Sequence, residues 1–260
     1  MPTFRDHALV PTDLAFWLAL VTAITLVGLA KGGFSGVGSA ATPLLALVMP
    51  PLEAAALILP LLLLQDTISV WVYRKDWDGW NVAVLTIGGA AGIGLGWSIA
   101  AIVSDDAIRL TVAAIGLAFV ANALLRRGPA EPAKPSAASG VFWGAVSGFC
   151  SVLAQAGSPP FQMHMLPQRL PKMTYVGTQS LFFAASNVMK VAPYFALGQF
   201  TTDGLGLSLA LLPLSVATNF LGIWLVRRTP QDLFYRIAYT LMVVISLALL
   251  YQGIRGMFFA

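Results

Sequence analysis

Apolar residues run along this chain in long unbroken blocks, without the strict alternation of strands or the narrow stripes of surface helices. The first block, Leu14 to Met49, has Lys31 as its only charged residue. Seven more follow: Ala54 to Tyr73, interrupted by Asp66; Gly79 to Ser104; Leu110 to Leu125; Gly140 to Met163; Met173 to Gln199, interrupted by Lys190; Gly204 to Val226; and Ile237 to Ile254. Crossing ~30 Å of hydrocarbon takes about 20 mainly apolar residues in a helix. The pattern therefore predicts an all-α membrane protein with eight embedded blocks. The longest polar connection, Arg126 to Ser139 (RRGPAEPAKPSAAS), reads as a Pro/Ala/Ser linker.

Composition agrees. Of 260 residues, 58% are hydrophobic and 10% charged, where a soluble globular domain carries about 25% charged residues. The mean hydropathy is +0.80. The first block is too long, and lacks the small-residue cleavage site, for a removable leader, so none is expected. A single cysteine, Cys150, excludes an intrachain disulfide. The pI near 9.4 arises from basic residues at block ends, as membrane topology demands.

Those charges reject eight plain crossings. Arg74-Lys75 and Arg126-Arg127 end the second and fourth blocks and belong on the cytoplasmic side, with Asp105-Asp106 outside. Arg169, Lys172, Arg227 and Arg228 then fall outside under plain counting. Making the fifth block a re-entrant hairpin returns all of them to the cytoplasm. Its centre, Ser151 to Phe161 (SVLAQAGSPPF), carries Gly157 and the pair Pro159-Pro160, which break a helix.

The first block has a matching break in AKGGFSGVGSAATPLL, Ala30 to Leu45. Each break holds a hydroxyl residue before proline, Thr42-Pro43 and Ser158-Pro159, the pattern of an N-cap with proline at the first helical position. Downstream, Ala56, Asp66 and Tyr73 repeat the spacing of Gly177, Asn187 and Tyr194. The expected architecture is two inverted repeats, 14–127 and 140–258, after a segment 1–13 and joined by a linker 128–139. Each is a broken hairpin plus three crossings, an arrangement recurrent among transporters.

A helix broken inside lipid leaves backbone N–H groups that need partners, and a helix N-terminus suits an anion. The candidate anion contacts are Lys31, Gly36, Gly38, Ser39 and Thr42 at the first break, and Gln155, Gly157 and Ser158 at the second. Ionisable residues inside the bilayer are functional hypotheses. Asp66 reads as a protonatable coupling group and Lys190 as an anion counter-charge, with Asn187 one turn before Lys190 and Gln179 in support. A structural reading stands beside it, in which Asp66 pairs with Lys190 to lock the halves, Lys31 snorkels to an interface, and the amides Asn122, Gln179 and Asn219 tie helices together. His164 reads as a solvated residue near the aqueous edge. Gly88, Gly92, Gly96 and Gly140, Gly144, Gly148 form small-residue ridges for helix packing, and these also permit a homodimer.

Other chemistry finds no support. There is no G-x-x-x-x-G-K-[ST] loop, and Gly36-Val37-Gly38 lacks the strand context of a dinucleotide site. His7 and His164 join no metal-ligand cluster, so no metal or cofactor is expected. No nucleophile–base set argues for an enzyme, and no basic domain argues for nucleic acid.

The stretches GFSGVGSAATPLL and SGFCSVLAQAGSPPF, with YVGTQSLFFAASNVMK from Tyr175 to Lys190, resemble the TauE/SafE sulfite-exporter family over nearly the whole chain. The chain departs from the family pattern at Ser39-Ala40-Ala41 and at Ala154-Gln155-Ala156-Gly157. The resemblance implies a multi-pass protein of a bacterial-type inner membrane, in contact with lipid, that moves sulfite, sulfonates or related sulfur-containing anions. The expected function is export by alternating access with the anion held between the two breaks. The alternatives are an anion channel, or uptake of another small carboxylate or organosulfur anion.

Overall fold

The computed structural model of the protein describes residues 13–34, 38, 41–45, 48–49, 51–99, 104, 106–107, 110, 114, 117 and 132–258. All regular structure among them is helical. α1 spans Leu14–Gly32, α2 Ala41–Leu45, α3 Pro51–Tyr73 and α4 Gly79–Ile99. α5 spans Ala137–Ala154, α6 Ser158–Met165 and α7 Lys172–Ala196, with a 3-10 turn at Leu166–Gln168. α8 spans Thr202–Ala210, α9 Leu212–Arg228 and α10 Gln231–Phe258. The block from Leu110 to Leu125, with Asn122, and the Arg126-Arg127 pair lie outside the described helices.

Three of these helices, α1, α3 and α4, are long and apolar enough to cross a membrane, and α8 with α9 makes a fourth when counted as one bent span. At 1.5 Å per residue, each of the three reaches the thickness of a hydrocarbon core. α7 has the length, at 25 residues, but buries Thr178, Gln179, Ser180, Ser186, Asn187 and Lys190. Its polar content is what lowers its hydropathy, and its buried face packs on α3 and α4. The seventh block, Gly204 to Val226, reads in sequence as one crossing; in the structure it bends by 50° between α8 and α9. Pro213 stands in the first turn of α9 and has no N–H to donate, so the helix cannot run through straight.

Both broken blocks are broken. α1 begins at Asp13, whose carboxylate accepts from the Ala15 N–H, and ends at Gly33, where φ of 134° carries the chain out of the helix. Glycine alone adopts that conformation cheaply. α5 ends at Gln155, left-handed at φ 54°. After Gln155 the chain turns back on itself. The Ser147 hydroxyl donates to the Gly157 carbonyl at 2.7 Å, and further down Ser139 Oγ lies 3.0 Å from His164 Nδ1. α6 thus runs antiparallel beside the first half of α5 and returns to the end where α5 began.

The helices exchange partners across the chain. α1 packs on α9, α4 on α5, and α3 on α7. The α4–α5 contact is the two glycine ridges face to face. A methyl group added at Gly88 would strike the Val141 carbonyl, at Gly92 the Ala145 carbonyl, at Gly144 the Leu85 carbonyl and at Gly148 the Gly89 carbonyl. The α1–α9 contact is built the same way, with Gly28 against Thr218 and Gly32 against Gly222. Small residues let backbones approach closely where lipid supplies no hydrophobic drive between helices.

Basic connections gather at one end. There the Lys172 ammonium donates to the carbonyls of Val226, at 2.7 Å, and Thr229. The Asp78 N–H donates to the Thr178 hydroxyl at 2.9 Å, and Asn81 pairs with Gln168. Arg74 stacks over exposed Trp71 at 4.1 Å and Arg228 over Trp224 at 4.3 Å. Tryptophan beside arginine at a helix end is the composition of a membrane–water interface.

Candidate functional site

The two breaks come together. A cleft enclosing about 510 Å³ of empty space, open mouth included, is lined by Lys31 and Gly38 from the first broken block and by Ser151, Gln155 and Ser158 from the second. α7 adds Gln179, Phe183 and Asn187, and apolar walls come from Val27 and Ala30 of α1 and Ile58 and Leu62 of α3.

Six residues singled out in the sequence therefore share one wall: Lys31, Gly38, Gln155, Ser158, Gln179 and Asn187. Gly157 stands just behind it, its carbonyl held by Ser147. Gly36 and Ser39 lie outside the described residues. Thr42 falls in α2, with its side chain outside the described positions. The capping detail differs from expectation. The sequence places Thr42 and Ser158 at N-caps, with helices starting at Pro43 and Pro159, whereas α2 starts at Ala41, two residues earlier, and α6 at Ser158, one residue earlier. Gly157 is the cap of α6 and already has helical angles, φ −75° and ψ −16°, with no side-chain cap bond. A hydroxyl caps from an extended backbone, and the chain has turned helical before it reaches Ser158.

Beneath the wall lies a chain of polar contacts. The Lys31 ammonium is paired with one carboxylate oxygen of Asp66, and Asn187 Nδ2 donates to the other at 2.6 Å. The side chains of Lys31 and Asp66 are only 11% and 4% exposed. Lys31 is therefore no snorkelling residue, and its ammonium also faces the Phe183 ring, 5.6 Å from the centroid. Lys190 is fully buried and donates to Ser151 Oγ at 3.0 Å and to Gln155 Oε1. This corrects the expected Asp66–Lys190 pair: Asp66 is engaged by Lys31 and Asn187, and Lys190 by neutral groups. Helix spacing alone fixes which residues share a face, not which helix that face meets.

Amides do tie helices here. Gln179 Nε2 donates to the Ala30 carbonyl at 3.3 Å, which leaves its Oε1 buried and without a partner. Asn219 Nδ2 donates to Ser69 Oγ at 3.1 Å, and Ser69 in turn to the Lys31 carbonyl at 2.9 Å. Gln155 Nε2 reaches the Ala55 carbonyl of α3 at 3.5 Å. Tyr73 donates to the Gly32 carbonyl at 2.6 Å, and Tyr194 to the Val152 carbonyl at 2.8 Å, each pinning the last turn of a helix beside the cleft.

His164 departs from its expected place in water. It is buried, with Nε2 2.8 Å from Asn81 Oδ1 and Nδ1 against Ser139. Gln168 Nε2 donates to the His164 carbonyl and to Asn81 Oδ1, so that oxygen faces the ring and Nε2 carries the proton. The histidine thus fastens the returning α6 to α4 and α5. Ser151 escaped the sequence reading, although it lies one helical turn before Gln155 on α5 and so shares its face. Phe183 gave no signal, being one aromatic among many.

Among the described residues no group of three or more His, Cys, Asp or Glu is placed to hold a metal ion. No curated protein and no solved structure matches the chain. The family model described as Sulfite exporter TauE/SafE matches residues 20–249, a span that takes in both breaks and every residue described in the cleft. The chain is a multi-pass membrane protein of the sulfite exporter TauE/SafE family.

Proposed function

We propose that this protein is a secondary transporter that exports sulfite, a sulfonate or a related sulfur-containing anion across a bacterial-type inner membrane. The anion rests in the cleft between the two breaks and is handed across by alternating access. One observation carries the reading: Lys31 and Gly38 from the first broken block meet Gln155 and Ser158 from the second around one cavity. Lys31 supplies charge, Ser158 and Asn187 supply donors, and Gly38 lets the backbone come close.

In this reading α5 and α6 form a re-entrant hairpin and α1 with α2 its counterpart in an inverted first half, 14–127 against 140–258. The antiparallel run of α6 beside α5 supports it, as do the matched tyrosine pins on Gly32 and Val152. So does the meeting of Asp66 with Asn187, residues at corresponding places in the two halves. Asp66 holds Lys31 beside the cleft.

The test is flux in proteoliposomes containing the purified protein. Labelled sulfite should enter saturably, and Lys31→Gln should raise the half-saturating concentration. A charge-assisted contact is worth about 1.5–3 kcal/mol, or roughly ten- to a hundredfold. Flux that is absent, or that rises linearly with concentration, would overturn the proposal.

A further inference from the structure

A second polar cluster lies where α1, α3 and α9 meet. It is a ladder of two rungs. Gln65 Nε2 of α3 donates to the Ser215 carbonyl of α9 at 3.0 Å. One turn further along both helices, Asn219 Nδ2 donates to Ser69 Oγ at 3.1 Å. Ser69 donates in turn to the Lys31 carbonyl at 2.9 Å, which brings α1 in as the third wall. Gln65, Ser69, Ser215 and Asn219 are all 0% exposed.

Three oxygens of this ladder have no hydrogen-bond partner among the described residues: Gln65 Oε1, Ser215 Oγ and Asn219 Oδ1. Turning the amides over brings no relief. Turning Gln65 would set its oxygen against the Ser215 carbonyl. Turning Asn219 would set its oxygen against Ser69 Oγ, whose one hydrogen is already given to Lys31. Nor does Ser215 bond back to its own helix, as Ser180, Ser186 and Thr218 do through the carbonyl four residues earlier. Buried oxygens in this condition are costly, and whatever relieves them must bring hydrogens or positive charge.

A second observation comes from the other half of the chain. Tyr73 holds the Gly32 carbonyl and Tyr194 the Val152 carbonyl. Four residues before each tyrosine stand Ser69 and Lys190. Each reaches the residue just before the one its tyrosine holds: Ser69 bonds to Lys31, and Lys190 to Ser151. Matching places therefore carry a hydroxyl in one half and an amino group in the other. The amino group of Lys190 supplies hydrogens to the oxygens of Ser151 and Gln155. Ser69 is too short to do the same, and the oxygens without partners are the ones around it.

From these two observations we infer that α1, α3 and α9 hold a sodium ion, ligated by Gln65 Oε1, Ser215 Oγ and Asn219 Oδ1. Amide and hydroxyl oxygens are hard ligands, and with no carboxylate bonded into the ladder they suit a single positive charge over a double one. Lys31 connects the ion to the cleft, because its carbonyl takes the Ser69 bond and Lys31 also lines the cleft. Resting on the transport reading for this part alone, the ion is the one whose binding is coupled to the anion.

The full-length protein is purified without sodium, and its thermal unfolding in detergent is followed while sodium chloride replaces N-methylglucamine chloride at constant ionic strength. No sulfur anion is present, so this arm is independent of the transport reading. Sodium should raise the unfolding temperature saturably, by about 2 °C or more. Ser215→Ala removes an oxygen that makes no bond, so the sodium-free variant should be at least as stable as the wild type. It should nevertheless bind sodium at least about tenfold more weakly. Ser69→Lys supplies the amino group itself and should abolish the response. A wild type indifferent to sodium, as an internal water in the ladder would make it, overturns the inference, and so does a Ser215→Ala response equal to that of the wild type. Where Ser69→Lys does not fold, Ser215→Ala decides. In proteoliposomes, labelled sulfite flux should change by about fivefold or more when sodium is withdrawn. Saturable flux indifferent to sodium overturns the coupling alone. Absence of saturable flux overturns the transport reading and leaves the sodium site standing.

Discussion

Each polar side chain around the cleft answers to a neighbour, and the geometry orders how much each neighbour matters. Lys31 and Asp66 are both nearly sealed from water. Removing one leaves the other as a buried unpaired charge, so Asp66→Ala should lower stability by about 3–5 kcal/mol. Thermal unfolding in detergent measures it. Tyr73→Phe loses one neutral hydrogen bond to the Gly32 carbonyl and should cost about 1 kcal/mol in the same assay. Lys31, Gln155 and Ser158 were legible in the sequence because a polar residue inside an apolar block needs a reason. Their partners were not. Asp66 and Lys190 look complementary on paper, yet which of two lysines a carboxylate meets depends on how α3 rotates against α1 and α7. Hydrophobic periodicity in blocks apolar all round carries little of that phase.

At the level of helices, glycine spacing was informative and helix straightness was not. The ridges at Gly88, Gly92, Gly96 and Gly140, Gly144, Gly148 announce a close crossing, and the structure pairs them with each other. A side chain at Gly92 would drive α4 into the backbone of α5, so Gly92→Val should abolish folded protein, read as loss of a monodisperse peak after solubilisation. Gly94, on the same helix, meets nothing within 4 Å. Gly94→Ala should be neutral or stabilise by up to about 1 kcal/mol, because alanine favours helix. The breaks after Gly32 and Ala154 were also legible, since glycine and proline are punctuation wherever they occur. The 50° bend at Leu211 was not: one proline in an apolar block fits a mild kink as readily as a break. The hydroxyl–proline pairs misled by two residues at α2 and by one at α6, where the helix starts on glycine geometry before the hydroxyl arrives.

For the molecule as a whole, charge at the block ends proved the most readable signal. Connections rich in arginine and lysine, around residues 74–81, 168–178 and 226–231, bond to one another at one end. Single cysteines at Lys75, Arg169 and Arg228 should therefore all react with an impermeant thiol reagent from the cytoplasmic face of oriented vesicles and none from the other. Buried Cys150 gives little background. Reaction of the Arg169 position from the outer face would remove the returning path of α6.

The crossing of α1 with α9 has a bearing on how the protein is made. Gly28 and Gly32 leave the ribosome early, but Thr218 and Gly222, against which they close, are synthesised near the end. Until then the nascent first helix waits in the bilayer with its notched side facing lipid and Lys31 held by whatever α3 can offer. Contacts so far apart in sequence make for slow, late assembly. A truncated chain stopping before α9 should therefore be handled by the cell's membrane quality control as unfinished, however well its earlier helices have inserted.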